Sequence, residues 1–342
     1  MTEPRYARHA LIPDWDQDLL KAARVVVIGV GALGGEVARL LALAGVGRLT
    51  LVDPDVVDES NLSRCTLFRA ADVGRSKVDT AAAALADLAP DTLVDPRPAP
   101  LTAGAGRAEL RDATLVVSAL DSVAARVELA TRCNSVGAGL LDAGTRPWGG
   151  EVRHYRCAGA CYACPLTPGE RAVRDDPRGC GQFAAPVEAG ASGAVSSLVG
   201  AWQGALALRL LFGLEVAGLT RIDVTAGASA GPGPRRAADC PCHDDIPAAA
   251  VTAVPLTVRA TVAETLALVG AGEDVMAWAA FARDGSAAAG TPRARTFLRS
   301  ADPGRSLAEL GVAPGEILPI RAVPGGAVRY IELSTTSEEP RR

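Results

Sequence analysis

Arg24–Gly34 reads RVVVIGVGALG, and this stretch decides the fold. Arg24–Ile28 is a β-branched apolar run, the pattern of a short strand covered on both faces of a parallel sheet. It runs into Gly29-Val30-Gly31-Ala32-Leu33-Gly34, a GxGxxG turn. Leu33, Val37, Leu40, Leu41 and Leu43 then recur at helical spacing up to Ala44, and Gly45-Val46-Gly47 ends that helix. Arg48–Val52 is a second strand, so the first 52 residues form one βαβ unit. Glycines at such a turn let the backbone approach a phosphate, and the helix N-terminus offers it free N–H groups. Asp53, at the end of the second strand, is placed to accept hydrogen bonds from ribose hydroxyls. By itself this pattern specifies a nucleotide, and a nicotinamide dehydrogenase would share it.

The alternation continues along the chain. Helices are expected at Ser76–Leu88 and Ser122–Cys133, and strands at Ala113–Ser118 and Gly139–Asp142. Gly149–Arg156 has the texture of an antiparallel strand, 191–213 of an apolar core helix, and Arg221–Thr225 of a further strand. Cys157–Ala189 is expected as loop, and Ser229–Ala238 as a Gly/Pro/Arg linker. Beyond Pro247 the composition shifts, with strands expected at Leu256–Val262 and Val328–Leu333 and a helix-turn into a strand from Leu307 to Ile317. The fold class is therefore α/β: a doubly wound, Rossmann-like, mostly parallel sheet with an antiparallel extension, plus a small C-terminal α+β appendage. The expected organisation is a nucleotide-binding domain over 1–246 that includes the Cys-rich loops, a small α+β accessory domain over 247–335 and a disordered tail over 336–342, with no internal repeat.

Composition excludes several classes. In 342 residues, 49% hydrophobic content supports a sizeable core, while 4% aromatics and a formal net charge of −4 with no basic block disfavour a nucleic-acid partner. No signal-peptide pattern follows Met1. The apolar stretch 191–213 carries Arg209 and several polar residues, so no membrane span is expected and the location expected is cytoplasmic. Eight cysteines then point to metal or thiol chemistry rather than disulfides.

The segment after Asp53 separates the nucleotide readings. It runs Asp55, Ser60, Asn61, Ser63, Arg64, then Asp72-Val73-Gly74-Arg75-Ser76-Lys77, and later Ala119-Leu120-Asp121-Ser122. A dehydrogenase has no need of Arg64 and Lys77 just past the ribose acid, whereas an enzyme handling a triphosphate does. With Arg5-Tyr6-Ala7-Arg8-His9 at the start, GVGALG, VDPDVVDESNLSR, DVGRSK and ALDS, residues 5–245 resemble the ThiF/MoeB/HesA superfamily, the bacterial relatives of ubiquitin-activating enzymes. Ala32 stands where a third glycine is usual and Ser63 where glutamine is usual.

That resemblance implies ATP with Mg²⁺, and adenylation of a C-terminal carboxylate. The acceptor it implies is the Gly-Gly tail of a small ubiquitin-like sulfur carrier; a peptide of natural-product biosynthesis is the alternative. A nicotinamide oxidoreductase and a non-catalytic scaffold are the rivals from other classes. The resemblance gives Gly29, Gly31, Ala32 and Gly34 to the phosphates, Asp53 to the ribose, and Asp55, Ser60 and Ser122 to the nucleotide's surroundings. Asn61 and Arg64 would contact phosphate, Lys77 the α-phosphate side and Asp121 the Mg²⁺. Arg8 would reach the neighbouring subunit of a homodimer. A carboxylate is already ionised at neutral pH, so positioning and charge neutralisation suffice and no general base is required. Arg146 and Trp148 are candidates for lining the tail channel.

Cys161-Tyr162-Ala163-Cys164 and Cys240-Pro241-Cys242 supply four thiols from two loops, a set suited to structural zinc. The second pair is CxC rather than CxxC, which leaves His243 and Cys157 as further candidate ligands. Cys180 lies in the loop before the apolar helix; in the family a cysteine there can take the acyl group, and a spectator thiol is the other reading. Residues 250–342 hold no cysteine, so the appendage cannot deliver sulfur from a thiol.

Overall fold

The computed structural model describes residues 4–171, 190, 192–280, 293–322 and 328–335. The chain divides into two compact units, one of Met1–Pro100 with Ala113–Asp244 and one of Leu101–Asp112 with Asp245–Arg342.

The larger unit opens with α1 (Gln17–Ala22), capped by the Asp16 carboxylate, followed by β1 (Arg24–Ile28), α2 (Ala32–Ala44) and β2 (Arg48–Val52). Next come α3 (Lys77–Leu88) and β3 (Leu93–Arg97); α4 (Leu101–Gly104) and α5 (Arg107–Asp112), next in the chain, belong to the smaller unit. β4 (Leu115–Ser118), α6 (Val123–Ser135), β5 (Leu140–Arg146) and β6 (Gly149–Tyr155) follow. The unit closes with α7 (Pro168–Arg171), α8 (Gly193–Leu211), β7 (Leu219–Asp223) and β8 (Gly227–Gly231). The eight strands lie in the order β3-β2-β1-β4-β5-β6-β7-β8. The pairs from β3 to β5 are parallel and those from β5 to β8 antiparallel. This is the Rossmann-like sheet with its antiparallel extension.

Val25, Val26, Val27 and Ile28 are all buried because helices cover both faces of the central strand, which is why the run shows no polar alternation. The 19-residue α8 is long and apolar enough to cross a membrane, yet it packs along α2 and over β5 and β6. Val195, Val199, Gln203 and Ala207 face that core, whereas Leu198 and Trp202, one turn apart, are partly exposed on its other side.

Several expectations are corrected. The segment expected as a linker from Ser229 contains the end of β8, whose Gly and Ala residues are exposed and leave no hydrophobic signature; pairing with β7 makes it a strand. β7 ends at Asp223 rather than Thr225, because the Asp223 carboxylate accepts the N–H groups of Thr225 and Ala226 in a turn.

In the smaller unit β9 (Val251–Ala253), α9 (Val262–Leu266), β10 (Glu273–Ala280), β11 (Arg293–Phe297), β12 (Ile317–Ala322) and β13 (Arg329–Glu332) build a mixed sheet in the order β11-β10-β12-β13-β9. Val262, Val275, Leu298, Leu307, Leu310, Ile320 and Ile331 form its core. Arg107 pairs with Glu316 at 2.6 Å, Arg111 pairs with Glu332 at 2.7 Å, and Ala108 N–H donates to Gly315 O. These bonds fasten 101–112 to this unit. Leu256–Val262 is not a strand: it turns into α9, with Thr261 as N-cap. The same capping motif occurs twice in this unit. Thr261 with Glu264 and Ser306 with Glu309 make the same reciprocal cap, each with a 2.7 Å bond from the backbone N–H to the glutamate, and the two caps meet in an antiparallel bridge.

Candidate nucleotide site and metal clamp

The Gly-rich turn sits where β1 feeds α2. Gly29 has φ of +88°, and a Cβ on Gly34 would lie 1.9 Å from Gly29 O, so both positions require glycine for the turn to close on the helix. A Cβ on Gly31 would meet nothing within 4 Å; this glycine faces open space at the helix N-terminus, and Ala32 is the first helical residue.

Asp53, buried at the end of β2, accepts from Val30 N–H at 2.7 Å and from Asp55 N–H at 2.9 Å. One carboxylate therefore fixes both the Gly-rich turn and the segment that follows. Burial raises its pKa, against the Val30 hydrogen bond and the charge of Lys77. Lys77 is the first residue of α3, and its Nζ donates to Asp55 Oδ2 at 2.8 Å. Burial works against the ammonium, but the Asp55 hydrogen bond and the charges of Asp53 and Asp55 outweigh it and hold its pKa above the ordinary lysine value. Lys77 N–H also donates to Asp55 O, so backbone and side chain lock the same pair.

Asn61 is buried and accepts from Asp58 N–H at 3.0 Å, closing a reciprocal cap on the 3₁₀ turn Glu59–Ser63. The turn projects Arg64, whose Nη1 donates to Ser60 O at 2.8 Å. The charges of Lys77 and Arg64 both help hold the exposed Asp58 carboxyl below its usual range, after its hydrogen bonds from Ser60. The structure thus brings together the Gly turn, Asp53, Asp55, Ser60, Asn61, Arg64 and Lys77. Ala119 borders the same turn: a Cβ on Gly29 would stand 2.7 Å from Ala119 O. Ser122, not Asp121, caps α6, its Oγ accepting from Ala125 N–H at 3.0 Å, so the exposed Asp121 carboxylate is not used as a helix cap.

Arg8 does not join this group. It precedes the turn His9–Leu11, in a segment where Tyr6 abuts Gly45 and Arg5 donates to Leu88 O. Gly45 closes the C-terminal end of α2, one helix length of about 20 Å from the Gly-rich turn. Cys180 lies outside the described residues.

The second constellation is sulfur-rich. Cys161, Cys164, Cys240 and His243 place their ligand atoms within 4.8 Å of one another. Cys161 Sγ is 3.7 Å from both Cys164 Sγ and Cys240 Sγ, and Cys164 Sγ is 3.1 Å from His243 Nε2. Tetrahedral zinc with ordinary Zn–S bonds puts sulfurs about 3.8 Å apart, so this donor set fits structural zinc. The expected Cys242 lies outside the mutually close set. Cys240 leads into the 3₁₀ turn Pro241–His243, within which Cys242 departs from helical angles, and the turn brings His243 to the cluster. Cys242 hydrogen-bonds with Cys161, Thr131 and Cys240, so its thiol also abuts the cluster. Cys157 is exposed and not part of the set. Arg171 links the two loops, donating to Ala163 O, Cys164 O and the Asp239 carboxylate, and Asn134 Nδ2 on α6 donates to Cys242 O at 2.9 Å.

The sequence reading missed a buried polar network beside the nucleotide site. Arg126 on α6 donates to Leu120 O through Nε at 2.8 Å, to Asp142 Oδ2 at 2.8 Å and to Ala143 O at 3.0 Å. Ser118 Oγ donates to the other Asp142 oxygen at 2.6 Å, and Gln203 Nε2 bridges Ser118 O and Leu141 O. Burial pushes Asp142 above the usual carboxylate range, against the Arg126 charge and the Ser118 hydrogen bond. No sequence spacing announces these partners, which come from β4, β5, α6 and α8. On the same side of the sheet as Asp142, the buried Glu151 carboxylate accepts from Arg146, Arg153 and Arg221, while Trp148 is exposed at the β5–β6 turn.

A mostly parallel α/β sheet carrying a Gly-rich turn, with a buried acid at the end of β2 and two cations nearby, defines a Rossmann-like nucleotide-binding protein. The ThiF family model matches residues 5–242, and the chain belongs to that family. It is 35% identical over 213 residues to the molybdopterin-synthase adenylyltransferase of Salmonella typhimurium, covering 60% of this chain and 81% of that one. It is 34% identical over 217 residues to the adenylyltransferase and sulfurtransferase MOCS3 of Drosophila grimshawi, covering 61% of this chain and 46% of that one, so the chain spans about half the length of that relative. Among solved structures, the microcin C7 biosynthetic enzyme MccB in complex with N-formylated MccA matches with a TM-score of 0.57 at 20% identity, over 70% of this chain and 75% of that one. The E. coli MccB structure with ATP matches with a TM-score of 0.56 at 19% identity, over 70% and 74%. These structural matches speak to the fold.

Proposed function

We propose that this protein uses ATP to adenylate a C-terminal carboxylate, most closely the Gly-Gly tail of a ubiquitin-like sulfur carrier, with release of pyrophosphate. The observation that carries this reading is the Lys77–Asp55–Asp53 series at the mouth of the Gly-rich turn, with Arg64 alongside. A ribose-binding acid with two cations suits a triphosphate that must be attacked at its α-phosphorus; hydride transfer needs neither cation. Gly31 and the α2 N-terminus would face the phosphates, Asp53 the ribose, Asn61 and Arg64 the phosphates, and Lys77 the α-phosphate side, where charge develops. Asp121 is a hard carboxylate ligand suited to Mg²⁺, which would neutralise phosphate charge when bound. The acceptor needs orientation rather than deprotonation. The basic side chains around Glu151 favour an acidic partner on the open face of β5–β7.

Cys161, Cys164, Cys240 and His243 would hold zinc as a clamp between the two loops. Arg8 would serve the neighbouring subunit of a homodimer, which its distance from its own Gly-rich turn and the exposed Leu198 and Trp202 on α8 support. Residues 247–335 would act as an accessory domain, Cys180 as an acyl acceptor, and the whole enzyme in the cytoplasm.

ATP–pyrophosphate exchange against a panel of Gly-Gly-ended carriers and short peptides tests the assignment, with Lys77→Ala as control. Exchange with a carrier supports it. Exchange with peptides alone moves the acceptor to the peptide class, and background exchange with every acceptor overturns the assignment.

A further inference from the structure

The metal clamp and the nucleotide site meet at one side chain. Tyr162, the residue inside the Cys161–Cys164 knuckle, places its ring 5.5 Å from the Arg126 guanidinium carbon. On its far side that guanidinium is committed to Leu120 O, Ala143 O and the Asp142 carboxylate, and it is largely shielded from solvent. Space for it is reserved: a Cβ on Gly144 would stand 3.1 Å from Arg126 Nη2. Leu120 O belongs to the residue immediately before Asp121. Arg126 therefore ties the loop carrying Asp121 to β5, and the knuckle covers the tie.

We propose that Arg126 is a positioning residue that fixes the Asp121 loop, and that Tyr162 makes this positioning depend on an intact metal knuckle. The proposal rests on the reading of Asp121 as the Mg²⁺–ATP ligand. Guanidinium is suited to the task because its planar fork satisfies three acceptors at once, which an ammonium cannot do in the same geometry. A tyrosine or phenylalanine face above it adds a cation–π contact that also excludes water from those bonds. Removing the ring should hydrate the fork and loosen Leu120 without touching a metal ligand.

The test uses the full-length protein and the variants Tyr162→Ala, Tyr162→Phe and Arg126→Lys, with zinc content measured for each. Amide hydrogen exchange over 119–122 should accelerate by about tenfold in Tyr162→Ala and Arg126→Lys and remain at the wild-type rate in Tyr162→Phe. Titration with ATP, with and without Mg²⁺, should show that the first two variants lose the tightening that Mg²⁺ gives the wild type, while affinity for metal-free ATP is kept. Unchanged exchange over 119–122 in Tyr162→Ala with full zinc content overturns the proposal, as does equal acceleration in Tyr162→Phe. A wild type that binds no ATP overturns the adenylation reading instead, and the exchange rates still decide whether Arg126 and Tyr162 hold the loop.

Discussion

Lys77 Nζ donates to Asp55 Oδ2 at 2.8 Å while Lys77 N–H donates to Asp55 O, so the N-terminus of α3 is pinned to the segment leaving β2. The pinned ammonium is largely buried, and its raised pKa keeps it charged throughout the neutral range. Replacing it by alanine removes a preorganised charge. ATP–pyrophosphate exchange should fall by about 10²–10³ in Lys77→Ala, with the fold retained by circular dichroism.

Gly31 and Gly34 should separate ligand approach from fold. Alanine at 34 drives a methyl group into Gly29 O, a clash of backbone with backbone, and should cost about 2 kcal/mol or more in thermal or denaturant unfolding. Alanine at 31 has open space around it, so unfolding should stay within about 0.5 kcal/mol of wild type. ATP affinity should nonetheless drop in Gly31→Ala, because the open space is where phosphate would approach.

Asp53 should set an acid limit on nucleotide binding. The ionised carboxylate accepts two N–H groups and has lone pairs left for ribose; burial raises its pKa, so protonation begins at a higher pH than for an exposed aspartate. ATP affinity measured by calorimetry should therefore weaken on acidification earlier than an ordinary carboxylate would dictate, and Asp53→Asn should abolish that dependence while lowering affinity at neutral pH.

For the metal clamp, His243→Ala should lower zinc affinity by about 10- to 100-fold, whereas Cys242→Ser should leave stoichiometric zinc. Elemental analysis and Co²⁺ charge-transfer spectra count the thiolates directly: three in wild type and three in Cys242→Ser. A four-thiolate spectrum in wild type would return Cys242 to the ligand set.

Mixing Arg8→Ala with Lys77→Ala should restore exchange to about a quarter of the wild-type rate, since random reassortment makes half the dimers mixed and each mixed dimer holds one complete site. Neither variant alone should recover. Sedimentation should show Trp202→Asp as monomer.

Much of this was legible along the chain because it is local. The Arg24–Ile28 run, the GxGxxG turn, the Leu33–Leu41 spacing and Asp53 are read from neighbours within a few residues, since strand burial, turn conformation and helix periodicity are short-range properties. Asp55 and Lys77 were equally readable, flanking a strand and a helix that the pattern located, whereas the 3₁₀ turn that carries Asn61 and Arg64 left no such signal. Other features required tertiary structure. β8 exists only by pairing with β7, and the 101–112 helices find their partners in Glu316 and Glu332 more than two hundred residues away. His243 joins Cys161, Cys164 and Cys240 through the turn that follows Cys240, a placement that CxC spacing leaves open. Nothing in the sequence sets Arg126 apart from the other cations of the chain. Only the convergence of α6, β4, β5 and the Tyr162 knuckle turns it into the clamp on Leu120, because desolvation and hydrogen-bond geometry are set by what surrounds a side chain in space.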